Sequence, residues 1–200
     1  MPGKRDKRVA ARVVGISGSP RKGGNTDSLL EKALEGASLE GSFVEKIFLD
    51  DLSVGPCREC GDCYKSGACA FRDDMRQVYD SIRRADSILI ASPVFFGTVT
   101  AQLKVVIDRC NCLWTAKHIL KKRPLPKKKR RGYFLSAAAS TTRKQFIDAR
   151  KVVRNLFATL DIEYAGELFC GGFEDKGAVR ADRKAMSRAF LLGKDSARIS

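Results

Sequence analysis

The chain has 200 residues, 44% of them hydrophobic, and a formal net charge of +15. This length and composition suit one domain built around a single interior rather than two small domains. The longest apolar runs are about ten residues, well short of the roughly 20 that a membrane-spanning helix needs, so no transmembrane segment is predicted. The charged N-terminus leads into no apolar stretch with a cleavage site, and a cytoplasmic location is therefore expected.

Hydrophobic periodicity predicts strands and helices that alternate along the chain. Apolar, β-branched runs predict five strands, at 9–17, 42–49, 85–92, 132–138 and 162–169. Amphipathic stretches predict five helices, at 26–37, 74–84, 99–113, 144–160 and 178–192. This alternation indicates a doubly wound α/β fold, in which helices cover both faces of a five-stranded parallel sheet. We expect a single domain over 1–200, with a basic tail at 1–10, an inserted cysteine segment at 52–72 and a basic loop at 115–131.

A glycine-rich loop at 17–26 joins the first predicted strand to the first predicted helix. Its glycines let the backbone approach a ligand closely, and the start of the helix directs free N–H groups and the positive end of its dipole at an anion. A Walker loop would require Lys and Ser or Thr where Gly24 and Asn25 stand, and the glycine spacing also differs from the dinucleotide pattern. The loop therefore indicates a single phosphate that is not hydrolysed. An ordinary strand-to-helix turn is the alternative.

A second loop, at 92–98, follows the third predicted strand and emerges at the same carboxyl edge of the sheet. Its sequence SPVFFGT presents aromatic, apolar and backbone groups to a flat ring. The combination of GSPRKGGNT, a cysteine segment leading into DDM, ADSILIASPVFFGTVTAQLK and IDR (107–109) resembles the NADPH-dependent FMN reductase family. Within that family it is similar to the iron-sulfur flavoproteins.

The resemblance implies a flavodoxin-like fold with FMN as the cofactor. The residues implied to form the FMN phosphate site are Ser17, Ser19, Pro20, Arg21, Asn25 and Thr26. Those implied to border the isoalloxazine ring are Pro93, Val94, Phe95, Phe96 and Gly97. The loop at 136–140, after the fourth strand, would close the other side of the ring. Because the flavin itself carries the chemistry, no catalytic side chain is assigned.

The cysteine segment contains a C-x2-C-x2-C-x5-C pattern, formed by Cys57, Cys60, Cys63 and Cys69. Cysteines spaced by three residues lie near one side of a turn, which suits three corners of a [4Fe-4S] cubane, and the fourth returns after a bend. The pattern resembles the compact motif of iron-sulfur flavoproteins. A structural zinc site and free thiols without metal are the alternatives. Because the segment follows the second strand, we expect it at the carboxyl edge, near FMN within a protomer or across a dimer.

The remaining cysteines and one charged pair are predicted to be structural. Cys110, Cys112 and Cys170 show no ligand spacing and are expected to pack in the interior. Asp108 and Arg109, at the end of a predicted helix, are expected to make a structural ion pair rather than a catalytic one.

Three functions are compatible with these motifs. The first is an FMN-dependent oxidoreductase that takes electrons from NAD(P)H or a ferredoxin and passes them, through the cluster, to a small-molecule or protein acceptor. The basic loop, with nine Lys and Arg residues between Lys117 and Arg131 and no acid, would dock an acidic ferredoxin. The second is an NAD(P)H:FMN or quinone reductase without a cluster.

The third function is a module that binds nucleic acid or an acidic partner through the basic loop. It is disfavoured because the loop contains no aromatic residue on which bases could stack. No membrane partner is expected. A homodimer or homotetramer is expected by analogy with other flavin sites of this fold.

Overall fold

Five parallel strands form one sheet in the order β2-β1-β3-β4-β5. The computed structural model describes residues 10–198. The predicted basic tail, apart from residue 10, and the first residue of the strand predicted at 9–17 lie outside the described residues. The strands are β1 (Arg12–Ser17), β2 (Phe43–Phe48), β3 (Ser87–Ala91), β4 (Arg131–Ala138) and β5 (Glu163–Gly171). The predicted flavodoxin-like, doubly wound sheet is confirmed.

Seven helices surround the sheet in the described part of the chain. They are α1 (Asn25–Leu39), α2 (Cys63–Ser66), α3 (Met75–Arg84), α4 (Ala101–Arg109), α5 (Asn111–His118), α6 (Ile147–Thr159) and α7 (Arg183–Ser196). Single 3-10 turns lie at Leu49–Asp51, Arg143–Phe146 and Ala178–Ala181. None of the helices between residues 10 and 198 is long and apolar enough to cross a membrane.

The helix predicted at 99–113 is two helices, α4 and α5. The chain changes direction at Cys110, whose backbone lies at φ −70° and ψ 0° and whose N–H is shared between two carbonyls of α4. α5 then continues to His118, so the predicted basic loop at 115–131 is helical over its first residues. The last predicted helix also starts late, because 178–181 forms a 3-10 turn and Asp182 caps α7 by accepting from the Ala185 N–H.

Alternate residues of the strands point to the two helical layers. Val13 packs with α1 and α7, whereas Val14 packs with the layer formed by α3 to α6. α1 and α7 approach closely because Gly193 has no side chain; an added Cβ there would collide with the carbonyl oxygen of Ala33. The three cysteines outside the cysteine segment are buried, as predicted: Cys110, Cys112 and Cys170.

Candidate functional site

The glycine-rich loop borders a cavity of about 230 Å³ at the carboxyl edge of the sheet. The cavity lies next to the point where the strand order reverses, between β1 and β3, which is where open α/β sheets bind ligands. The predicted site residues that line it are Ser19, Pro20, Arg21, Asn25, Thr26, Pro93, Val94 and Phe95. Ala137, Ala138 and Ala139, from the predicted third loop, line it as well. Three loops that are distant in sequence therefore meet around one space.

Asp27, in the first turn of α1, fixes the shape of the glycine-rich loop. Its buried carboxylate accepts hydrogen bonds from the Ser17 hydroxyl and from the Gly23 N–H, both at 2.9 Å. The Nζ atom of Lys46, on β2, lies 2.8 Å from the same carboxylate. Burial opposes the charge on Lys46, but hydrogen bonds to Asp27 and Glu31 outweigh burial and raise its pKa. The ammonium of Lys46 thus offsets the carboxylate beside the anion site.

The backbone at the start of α1 provides the anion-binding groups. Gly23 has φ +68°, in the left-handed region that favours glycine, and an added Cβ on Gly24 would lie 3.0 Å from the carbonyl oxygen of Arg21. The first N–H groups of a helix have no intrahelical acceptor, so those of Asn25 and Thr26 are available to a ligand. With the guanidinium of Arg21, they form a donor set that fits one terminal phosphate, such as that of FMN.

The side chains of Ser17 and Asn25 are hydrogen-bonded within the protein. The Ser17 hydroxyl is fully buried and bonded within the loop's own network. The Asn25 amide donates to the carbonyls of Phe173 and Asp175 at 3.2 and 2.8 Å, and its oxygen accepts from the Val179 N–H at 3.0 Å. These two side chains stabilise the loops around the cavity. Asn25 lines the cavity, whereas Ser17 does not.

Phe96 and Gly97 lie outside the cavity lining in the protomer. They occupy the centre of a tight turn in which Phe95 and Thr98 exchange backbone hydrogen bonds of 2.9 and 3.0 Å. Both central residues have positive φ, and the Phe96 side chain is fully exposed. The turn therefore carries the Phe96 side chain away from the space between the loops.

The loop after β5 contributes residues that the sequence analysis missed. Phe173, Glu174 and Lys176 line the same cavity. Only their position directly after the fifth strand, at the same carboxyl edge, could have indicated these residues in the sequence. Asn25 holds this loop in place through the hydrogen bonds described above.

The four cysteines of the cysteine segment line a second, separate cavity: Cys57, Cys60, Cys63 and Cys69. All four are free thiols; the first two are exposed and the other two half-buried. Within residues 10–198, no three His, Cys, Asp or Glu side chains form a group that could hold a metal ion. The four thiols of this lining are the donor type that an iron-sulfur cluster requires, and the [4Fe-4S] cluster stays a prediction.

The second cavity lies against the junction of α4 and α5. Arg109 and Cys112 line it. α4 begins at the glycine-rich loop, where Thr100 Oγ1 donates to the carbonyl of Gly18 at 2.6 Å, and it ends at this cavity. At 1.5 Å per residue, a helix of nine residues is about 13 Å long. α4 thus connects the glycine-rich loop to the second cavity.

Arg109, the last residue of α4, joins the two ends of the cysteine segment. Its guanidinium donates to both carboxylate oxygens of Asp73, at 2.5 and 3.0 Å, and to the carbonyl of Gly55 at 2.8 Å. The hydrogen bond from Arg109 outweighs burial and lowers the pKa of Asp73. Asp108 instead pairs with Lys104 at 2.7 Å. Both predicted residues thus form ion pairs, though not with each other.

Some cations of the basic loop form ion pairs within the protein. Lys117 pairs with Asp161 and Lys128 with Asp86, at 2.6 and 2.7 Å. The side chain of Arg130 is buried. Besides Lys128, the exposed cations of the loop are Lys121, Lys122, Arg123, Lys127 and Lys129. Those at 121–123 directly follow α5, which packs against α2 of the cysteine segment.

Known proteins are similar to this chain in sequence and in fold. An iron-sulfur flavoprotein of Methanosarcina thermophila is 42% identical over 98 residues, which are 49% of this chain and 51% of that protein. The matched part of the chain thus spans about half the length of this curated relative. Two solved structures match 94% of the chain at TM-score 0.70: an NAD(P)H:quinone oxidoreductase from Methanothermobacter marburgensis (16% identity, 99% of that chain) and an FMN-dependent NADH-azoreductase from Bacillus anthracis in complex with FMN (15% identity, all of that chain).

The sequence model of the NADPH-dependent FMN reductase family matches residues 11–171, which extend from just before β1 to the end of β5. The matched region includes the glycine-rich loop, the loop at 92–98 and the cysteine segment, and it ends before Phe173, Glu174 and Lys176 of the first cavity. The chain belongs to the NADPH-dependent FMN reductase family.

Proposed function

We propose that this protein is an FMN-dependent oxidoreductase that passes electrons between a reduced donor, NAD(P)H or a ferredoxin, and an acceptor through a [4Fe-4S] cluster. The observation that carries the proposal is the convergence of three loops on one cavity at the start of α1. Family membership and the relative named iron-sulfur flavoprotein support it.

FMN, when bound, supplies hydride and single-electron transfer. The chain's own residues bind and orient it. The N–H groups of the first turn of α1 and the side chain of Arg21 hold the phosphate. Pro93 and Val94 on one side, and the run Ala137–Ala139 on the other, give the flat ring apolar walls. Lys176 adds a cation to the lining, and Glu174 adds an acid.

The cysteine segment is the proposed second redox centre. Four thiols share one cavity, and their spacing matches the compact ligand pattern of a cubane. Cys57 and Cys60 are exposed, so a centre held there exchanges electrons with a partner at the surface. An open groove of about 570 Å³ between α4, α5 and α6 also reaches Cys57.

The exposed turn at Phe95 and Phe96, beside the first cavity, supports a homo-oligomer. Two exposed aromatic side chains next to a ligand site are typical of a surface that another chain covers. A second copy seated there would complete the wall that one protomer leaves open. Size-exclusion chromatography with light scattering tests this assembly, and a monomer at micromolar concentration would contradict it.

Anaerobic purification followed by flavin, iron and sulfide analysis tests the proposed function. We expect one FMN with about four iron and four sulfide per chain, and a broad absorbance that bleaches with dithionite. FMN without iron after anaerobic reconstitution would instead support a cluster-free NAD(P)H:FMN or quinone reductase. Colourless protein that co-elutes with nucleic acid would overturn both functions.

A further inference from the structure

Arg109 is a buried cation whose hydrogen bonding is incomplete. Its side chain is among the largest fully buried ones, with 2% of the residue exposed. Asp73 neutralises the charge, and Gly55 accepts a further hydrogen bond from the guanidinium. Three of its five N–H groups are bonded in this way, and of the others Nε–H is buried and has no hydrogen-bond partner within residues 10–198. Because buried donors are nearly always satisfied, this atom calls for an acceptor.

The surroundings of Arg109 indicate what that acceptor is. The residue lines the same cavity as the four cysteines of the cysteine segment. The ring of Phe71, two residues after Cys69, lies 5.3 Å from the guanidinium carbon and occupies one side of it. The four cysteines place sulfur atoms around this cavity. Thiolate and sulfide sulfur accept N–H hydrogen bonds in iron-sulfur proteins, so sulfur is the acceptor that the surroundings indicate.

We propose that Arg109 is the positioning residue of the cysteine segment: it ties the segment's two ends through Asp73 and Gly55, and its Nε–H donates to a sulfur of the bound cluster. The inference rests on the cluster in the proposed function. Reduction adds one electron to a centre that already carries four thiolates, and an N–H donor stabilises the extra negative charge. The donor therefore raises the reduction potential of the cluster.

Arg109→Lys tests the hydrogen bond because it keeps the positive charge and removes the Nε–H and the planar fork. We expect the purified holoprotein of this variant to keep FMN. The equilibrium constant for cluster reduction, measured by dithionite titration followed by electron paramagnetic resonance, should fall at least tenfold, which is about 59 mV for a one-electron couple. Lys104→Gln, which removes an exposed cation of the same helix, is the matched control and should leave the potential unchanged.

Asp73→Asn supplies a test with the opposite sign. It removes the carboxylate that neutralises Arg109 while the Gly55 contact is kept, so the cluster potential should rise. A rise in Asp73→Asn without a fall in Arg109→Lys would reflect the lost carboxylate charge alone and would overturn the hydrogen bond. Should Arg109→Lys fail to fold, wild-type protein labelled with 15N-arginine decides: pulsed electron paramagnetic resonance of the reduced cluster should show a coupling to an arginine nitrogen, and its absence overturns the inference.

Two failures are distinguishable. Wild-type protein that binds FMN but no iron after anaerobic reconstitution overturns the proposed cluster, and this inference with it. Wild-type protein that holds iron, with a potential that neither Arg109→Lys nor Asp73→Asn changes, overturns this inference alone.

Discussion

The glycine-rich loop and the cysteine segment both follow a strand of the same sheet, yet the chain supports them in different ways. In the glycine-rich loop, one buried carboxylate, that of Asp27, bonds to Ser17 and Gly23. Asn25 then ties the loop to the connection after β5, and Thr100 ties it to the start of α4. The shape of the loop is therefore set by contacts within the protein.

The cysteine segment is hydrogen-bonded to the rest of the chain mainly at its ends. Gly55 and Asp73 are bonded to each other and to Arg109. Its middle contains the short helix α2 and contacts α5 through a weak Cys63 to Thr115 interaction of 3.8 Å.

The two sites therefore differ in how far they are ordered before a ligand binds. A preorganised loop binds its ligand at little cost in conformational entropy. A segment that lacks such internal support gains order when thiolates bind metal, so folding and metal binding are coupled. We therefore expect the two sites to respond independently to mutation, and the predictions below test that independence.

Removal of one proposed metal ligand should give the largest effect. Cys63→Ala should lose most of its iron, because three thiolates no longer complete the cubane, while the FMN content stays at the wild-type level. Iron analysis and flavin absorbance of anaerobically purified protein measure both. Cys170→Ala, at a buried cysteine on β5, is the control and should keep its iron. Parallel loss of iron and FMN would show that the sites are not independent.

Loss of the carboxylate in the glycine-rich loop should weaken FMN binding by about 10- to 100-fold, or about 1.4 to 3 kcal/mol. Asp27→Asn can no longer accept from both Ser17 and Gly23, and it removes the charge that Lys46 offsets. Quenching of FMN fluorescence on titration measures the dissociation constant. Glu31→Gln removes a half-exposed carboxylate that bonds the same Lys46, and should change affinity less than about twofold. Equal effects of the two variants would refute the role of Asp27.

The sequence was sufficient to predict the sheet, its edge and the glycine-rich loop, because these depend on local patterns. An apolar run, a turn rich in glycine and an amphipathic helix are each visible within about 15 residues. The partners of the side chains within the loop could not be predicted in this way. The Asn25 amide donates to the carbonyls of Phe173 and Asp175, about 150 positions later. Such partners become neighbours only after the sheet is assembled.

The same limit applies to the cysteine segment. Cysteine spacing indicated a cubane, but it carried no information on where the segment would pack. The two residues that hold its ends, Asp73 and Arg109, lie 36 positions apart, and the turn at Cys110 that ends α4 has no clear sequence signal. Position after the second strand suggested the carboxyl edge, but nothing in the spacing of the cysteines predicted that the segment packs against α5 and shares a cavity with Arg109.

Charge reversal beside the cysteine segment should slow reduction by an acidic ferredoxin and leave reduction by NAD(P)H unchanged. In the double variant Lys121→Glu with Lys122→Glu, reduction by an acidic ferredoxin should slow by about three- to tenfold at low ionic strength, because the attractive field is lost. Reduction by NAD(P)H should be unchanged. Stopped-flow absorbance measures both rates. Lys184→Glu, an exposed site on α7 in the opposite helical layer, is the control. A rate unaffected by both variants and by salt would exclude docking at the basic loop.

The smallest expected effect is a pH-dependent opening of the cysteine segment. The hydrogen bond from Arg109 holds the pKa of Asp73 below its ordinary value, despite partial burial, and the Gly55 N–H adds to this lowering. A carboxylate with a lowered pKa stabilises the folded state above its unfolded pKa of about 3.9, and that stability is lost as pH falls towards the folded value. In metal-free protein, hydrogen exchange of peptides covering 52–74 should therefore accelerate below about pH 4, while peptides covering 17–27 report global unfolding. Asp73→Asn does not titrate, so its segment should exchange faster than the wild-type segment at neutral pH and show no further local change in that window. An identical pH response in wild type and variant would mean that Asp73 does not hold the segment closed.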